Sequence, residues 1–356
     1  MTHGDCHNFG KVVRFEQGYY LKPRTVVWEE MFLSSYSIFR TFVHDKFLKT
    51  YEASPFDIMP TLEFSRSQLG EGRVSAFEPY ALWEGCLNCE ESYRIGMLLG
   101  KLTWVGVDDL HSENMIVGRS GIGHLQVCPV DIESLLQEFR LPSQTLLLPS
   151  PHIKRSHCGF SDLLNSFDSR PNNVAALCTG YSNALDLFQH HAATVAERIA
   201  MHTLNQSSPI RLIFRPTSVY NGYLRNGFLP EDQPAFFTEE LVQLQRGDIP
   251  YFFRFPEERG VKFYAEPRRY SQVCSETQSI SNVLGQALVL DDLSQERKSS
   301  LQMAGILQIV RTLMHVSDDL GEWQGNTVFL GPNCAQASIG HFQIRTLLRA
   351  NLASNS

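Results

Sequence analysis

Two acids and an amide, separated by a helix end and a hairpin, constrain this chain more than any other feature. Apolar residues recur at helical spacing through Glu90–Val105 (Ile95, Leu98, Leu99, Leu102). Met115–Val117 and Leu125–Val130 then read as two strands about a Gly-rich turn. Between helix and hairpin lies Asp109-Leu110-His111-Ser112-Glu113-Asn114, and Asp131-Ile132-Glu133 follows the second strand. The hairpin delivers Asp131 at a strand end. Phosphoryl transfer needs such a set. An acid accepts the proton of the attacking hydroxyl, an amide five residues on holds Mg²⁺, and a later acid holds the metal against nucleotide phosphates. Asp109, Asn114 and Asp131 take these roles, with Glu133 a further candidate metal ligand. Asp108 competes for the role of base, and the spacing to Asn114 selects Asp109. His111 is placed to orient the base, contact phosphate or shuttle a proton. The bland alternative is a solvated polar turn.

Upstream, Lys11–Phe15 and Tyr19–Lys22 read as a hairpin with a Glu-Gln-Gly turn, and Glu29 to about Phe47 as a helix packed on it. Lys22, at a strand end and followed by Pro23, suits contact with nucleotide phosphates; alone it would be an ordinary exposed lysine. His3-Gly4-Asp5-Cys6-His7-Asn8 reads as a polar loop in the place of a phosphate-covering loop, or as a frayed terminus. Residues 50–75 look like connecting structure. The order of hairpin, helix, helix, loop, hairpin and acid matches a two-lobed kinase, an α+β fold.

These signals define a catalytic core over residues 1–140. Pro142, Pro149 and Pro151 mark a change, and a mostly helical remainder is expected over 141–356, with helices at Ala184–Met201, Glu239–Leu244 and Lys298–His315 and a frayed tail, Asn351–Ser356. Within it Arg211, Ile213 and Arg215 alternate as in a half-buried strand, just before Thr217 and Tyr220. A guanidinium there can grip phosphate through two N–H groups, although taken alone the pattern is better explained by a salt-bridged surface strand.

The 356 residues, 43% hydrophobic and 19% charged, describe an ordinary globular chain. A net charge of −7 without a basic block argues against nucleic acid as a partner. No apolar run is long enough for a membrane span, and no secretory signal opens the chain, so a cytoplasmic protein is expected. Eight cysteines are too sparse for a disulfide scaffold, and Cys86-Leu-Asn-Cys89 lacks a second ligand pair for zinc.

Taken as an ordered set, His3-Gly-Asp5-Cys-His7-Asn8, Lys22-Pro-Arg24, Asp109-Leu-His111-Ser-Glu-Asn114, Pro129-Val-Asp131-Ile-Glu133, Arg211…Arg215-Pro-Thr217…Tyr220 and Gly247-Asp248-Ile249-Pro250-Tyr251-Phe252 resemble the dehydratase domain of class II lanthipeptide synthetases, the LanM family. The last motif has no reason in generic kinase logic. The resemblance implies a lipid-kinase-like, two-lobed fold with helical additions. It implies ATP- and Mg²⁺-dependent phosphorylation of Ser and Thr in a ribosomal precursor peptide, then elimination of phosphate to dehydroalanine or dehydrobutyrine. Carried over by position, Lys22 contacts ATP, Asp109 acts in phosphoryl transfer, and Asn114 and Asp131 hold Mg²⁺. Asp5, His7, Arg211 and Thr217 match the elimination positions.

Two departures shape the expectation. The first motif begins at residue 3, where the family has a long preceding region, and the family's zinc cyclase has no counterpart before Ser356. A companion subunit supplying that region, and a separate cyclase, are therefore expected partners. Two alternatives stand beside the dehydratase: a peptide or small-molecule kinase that does not eliminate, and an inactive, partner-dependent binding subunit of a split synthetase.

Overall fold

A computed structural model of the chain describes residues 2–7, 9–39, 58–66, 71–167, 171–204 and 208–314, together with four strands between 322 and 346. The fold mixes helices with four sheets.

β1 (Thr2–His7), β2 (Lys11–Glu16) and β3 (Tyr19–Lys22) run antiparallel, and β4 (Phe64–Arg66) and β5 (Gly72–Ser75) extend the sheet in the order β1-β2-β3-β5-β4. The β2–β3 register pairs Phe15 with Tyr20, whose rings lie 5.1 Å apart, a cross-strand contact of the kind that fixes hairpins. Thus the segment expected as a polar loop is a strand, with Asn8 outside the described residues. Its register slips between His3 and His7, a bulge that re-aims the strand end.

The following helix, α1 (Val27–Leu33), starts two residues before the expected Glu29 and ends at the extended Ser34. Positions 40–47 of the expected helix lie outside the described residues. Its buried face of Val27, Trp28, Met31, Phe32 and Leu33 joins the main core, where each large side chain contributes roughly 1.5–3 kcal/mol by leaving water. Trp28 Nε1 also donates to the Pro209 carbonyl at 2.8 Å, pinning the segment that leads to Arg211.

α2 (Cys89–Val105) is opened by an Asn88–Glu91 capping box and closed by left-handed Gly106. β6 (Ala81–Leu82), β7 (Met115–Arg119) and β8 (Leu125–Pro129) form the sheet beyond it. After α3 (Ser161–Asn165) come α4 (Pro171–His190) and α5 (Ala192–Thr203), two helices where one was expected across Ala184–Met201. α2 and α4 touch backbone to backbone: a Cβ on Gly96 would sit 1.9 Å from the Leu177 carbonyl oxygen, and one on Gly180 2.0 Å from that of Tyr93. Only glycine allows this crossing, and it seats the helix that delivers Asp109.

The second half is mostly helical and also carries a sheet. β9 (Ile210–Leu212), α6 (Thr217–Asn226), α7 (Thr238–Gln245), β10 (Phe252–Arg254), β11 (Lys262–Glu266) and β12 (Arg269–Gln272) contain an antiparallel sheet ordered β12-β11-β10-β9. α8 (Gln278–Gly285) and α9 (Lys298–Met314) follow, and β13 (Glu322–Gln324), β14 (Thr327–Leu330), β15 (Ala337–Ile339) and β16 (Phe342–Thr346) make a further sheet. His315 and the tail lie outside the described residues. The main hydrophobic core draws on residues from Val27 to Leu313, on both sides of position 140. No helix among the described residues is long and apolar enough to cross a membrane.

Candidate active site

Register explains how the Asp109–Asn114 loop meets the second acid. β7 pairs with β8 so that Met115 faces Pro129, and the Val130 amide then donates to the Asn114 carbonyl at 2.9 Å. Asn114 and Asp131 are thereby set side by side at the open end of the hairpin. The loop is fixed from both flanks: Asp108 N donates to Ser134 O at 2.9 Å and Leu110 N to Thr145 O at 3.1 Å. Asp109 between them is left-handed, with φ of 65°, a sparsely populated state for any residue but glycine that clusters at functional sites. Two bonds hold it there. Its amide donates to Asp108 Oδ1 at 2.6 Å, and its carbonyl accepts from Asn114 Nδ2 at 2.8 Å. His111 Nε2 lies 3.8 Å from Asp109 Oδ1 and 3.2 Å from Asn114 Nδ2.

The cations come from the end of β3. Lys22 is buried and donates to Glu29 Oε1 and the Val130 carbonyl, each at 2.9 Å, and to Asp131 Oδ1. Arg24 grips Glu29 through both terminal nitrogens (2.5 and 3.2 Å), also meets Asp131 Oδ1, and places Nε 3.1 Å from Glu133 Oε2. In the sequence Arg24 marks only the end of the Lys22-Pro-Arg24 motif and Glu29 only a helix start, neither with a role in the site. Glu29 sits on the first turn of α1 and pairs with Lys22; the only signal was an acid opening a helix soon after the lysine.

Electrostatics separate the acids. Burial alone would raise Asp131, but Lys22 and Arg24 outweigh it and hold the carboxyl well below the usual carboxylate range. Burial likewise disfavours a charged Lys22, yet Asp131 and Glu29 keep its pKa above the ordinary value. Asp109 moves the other way: burial raises it, Arg211 and His111 oppose, and Asp131 and Glu133 push it further up. Burial pushes Asp108 up to about 7 although it accepts the Asp109 amide. One acid is thus fixed as an anion and its neighbour made more basic, the division that acid–base chemistry uses.

A third group approaches from the β9–β12 sheet. Arg211 N donates to the Glu133 carbonyl at 2.8 Å, and its Nη1 lies 3.4 Å from Glu133 Oε1. The Tyr251 hydroxyl donates to Glu133 Oε2 at 3.0 Å. His7 Nδ1 is 2.8 Å from the Ile249 carbonyl; a carbonyl only accepts, so Nδ1 carries a proton. The edge-on rings of His7 and Tyr251 are 5.9 Å apart. Glu133 is consequently the hub of Arg24, Arg211 and Tyr251, with both oxygens engaged by side-chain donors.

The Gly247–Phe252 motif acquires a physical role. Buried Asp248 accepts from the amides of Phe9 (2.8 Å) and Gly10 (2.9 Å) and pairs with Arg246 at 2.6 Å, while Ile249 N donates to the Cys6 carbonyl at 2.8 Å. The motif ties β1 to the site. Asp5 is in β1 two residues before His7, and the described part of it is its backbone. Thr217 begins α6 and, among the described residues, hydrogen-bonds to none of the cluster. Arg215 is buried in a pair with Glu240 at 2.7 Å, where Tyr220 also donates; it braces α6 against α7. The expected strand through Arg215 stops at Leu212.

Among the described residues no group of three or more His, Cys, Asp or Glu is assembled to hold a metal. Mg²⁺ is commonly held by one or two protein groups together with nucleotide phosphates, and the donors at hand suit that mode. Asn114 Nδ2 is committed to Asp109, leaving the amide oxygen, and both cations meet Oδ1 of Asp131, leaving Oδ2 on a side chain one-third exposed. The sequence matches no protein-family model and no curated protein.

Proposed function

We propose that this chain is a LanM-type dehydratase on a lipid-kinase-like core, which phosphorylates Ser or Thr of a precursor peptide with ATP and then eliminates the phosphate. The observation that carries the reading is the meeting of Lys22, Asp109, Asn114 and Asp131 at one hairpin end, with Glu29 pairing the lysine. Lys22 receives the ATP phosphates. Asn114 and Asp131 would hold Mg²⁺, which supplies charge neutralisation on those phosphates when bound. Asp109 takes the hydroxyl proton as the peptide oxygen bonds to the γ-phosphorus, and the bond to the ADP oxygen breaks with its electrons leaving on ADP. In the second step the basic nitrogen of His7 accepts the α-proton, the Cα–H electrons become the Cα–Cβ double bond, and the Cβ–O bond breaks, phosphate leaving with that pair beside Arg211. Asp5 and Thr217 belong to this step by the resemblance. The ribosomal precursor peptide is its proposed partner.

A kinase without elimination is the second reading, favoured by one observation: Glu133 faces Arg211 and competes for it. Incubation with ATP, Mg²⁺ and a Ser/Thr-rich precursor peptide separates the readings by mass. A loss of about 18 Da supports the dehydratase, a gain of about 80 Da alone the kinase, and an unchanged peptide rejects both in favour of a binding subunit.

A further inference from the structure

We propose that Tyr251 is the positioning residue of the elimination step, holding Glu133 back so that Arg211 stays available to the departing phosphate. This rests on the dehydratase reading above. Tyr251 is buried one residue before β10, and its backbone amide donates to Gln243 Oε1 at 2.9 Å. Its side chain touches three groups at once. The hydroxyl donates to Glu133 Oε2 at 3.0 Å, the ring centroid is 5.6 Å from the Arg211 guanidinium carbon, and the His7 ring meets it edge-on at 5.9 Å.

The distances around Glu133 are unequal in an informative way. Oε2 has two donors, Tyr251 and Arg24 Nε at 3.1 Å. Oε1 meets Arg211 Nη1 at 3.4 Å, longer than the ~2.7–2.9 Å of a well-formed charged pair. Arg211 is therefore held near the carboxylate without being locked to it, and the Tyr251 ring offers it a cation–π seat. A phenylalanine at 251 keeps the ring and removes the neutral donor. Glu133 then keeps Arg24 on Oε2 and, with one neutral donor lost, closes its other oxygen on Arg211, now 3.4 Å away, and phosphate loses that partner.

The test is Tyr251→Phe, checked for an unchanged melting curve. With an independently prepared phosphoserine peptide, elimination falls by about tenfold or more, while phosphoryl transfer to the unphosphorylated peptide stays within about twofold, so phosphopeptide accumulates. In parallel, inorganic phosphate binds the variant about tenfold more weakly than the wild type in a calorimetric titration. Equal loss of both chemical steps, or unchanged phosphate affinity, overturns the proposal. If wild-type protein neither phosphorylates nor eliminates, the dehydratase reading falls, and the phosphate titration still decides the role of Tyr251. Should Tyr251→Phe fail to fold, 3-fluorotyrosine at 251 preserves the shape and strengthens the donor; elimination then matches or exceeds wild type, and a loss overturns the assignment.

Discussion

Lys22 and Glu29 form a buried ion pair at 2.9 Å, the lysine 5% and the glutamate 1% exposed. Both charges are out of water, so each depends on the other and on their shared neighbours Arg24 and Asp131. Removing one partner leaves uncompensated buried charge. Glu29→Ala is expected to cost about 3–5 kcal/mol in urea unfolding, and a cost under about 1 kcal/mol would show that the pair is not the anchor of the site.

Asp109→Asn keeps the size of the side chain and removes the proposed base. If the proposed reaction occurs, phosphoryl transfer is expected to fall by about 10²–10⁴, with the melting temperature within a few degrees of wild type. Peptide phosphorylation at more than a tenth of the normal rate would transfer the role to another group, Asp108 first.

Asp108 predicts a pH dependence of stability. It titrates at about 7 in the folded chain and near 4 when unfolded, so the folded state holds the proton more tightly. Its contribution is full below pH ~4, declines as pH rises through ~4 to 7, and stays at its lowest above that, with a slope of at most about 1.4 kcal/mol per unit. Asp108→Asn keeps the oxygen that accepts the Asp109 amide. Urea midpoints of the variant should lose less than those of wild type between pH 5 and 7.5, and parallel curves would refute the assignment. Asp131 and Glu29, both held below their ordinary values, act in the opposite window: their stabilisation is present above pH ~4 and is lost as pH falls below it.

Asp248→Ala should loosen β1. It leaves the Phe9 and Gly10 amides and Arg246 without their shared acceptor, at a cost of about 3 kcal/mol. Hydrogen exchange reads this locally: those two amides exchange faster while α2 is unchanged. Unaltered protection at Phe9 and Gly10 would remove Asp248 from this role.

The catalytic loop was legible because its parts are local. A helix period, a five-residue spacing and a hairpin suffice to bring Asp109, Asn114 and Asp131 together. β1 was not, since Thr-His-Gly-Asp-Cys-His lacks the β-branched alternation of a strand; pairing with β2 and the distant Ile249 imposes its conformation. Glu29 escaped notice because an acid at a helix start is usually a solvated one. The β9–β12 sheet was hidden by strands of three to five residues, interrupted by α6 and α7. Glu133 was read as a metal ligand from its place beside Asp131, and only the fold reveals the three side chains that surround it.

The bond from Phe9 to Asp248 spans 239 residues, and this orders events during synthesis. The grouping of Lys22, Asp109 and Asp131 is braced by Ser134, Thr145 and α4, which ends at His190, whereas His7 cannot be docked until the segment near 250 has left the ribosome. Contacts of such separation form late. The half of the site that would install phosphate is therefore assembled before the half that would discard it.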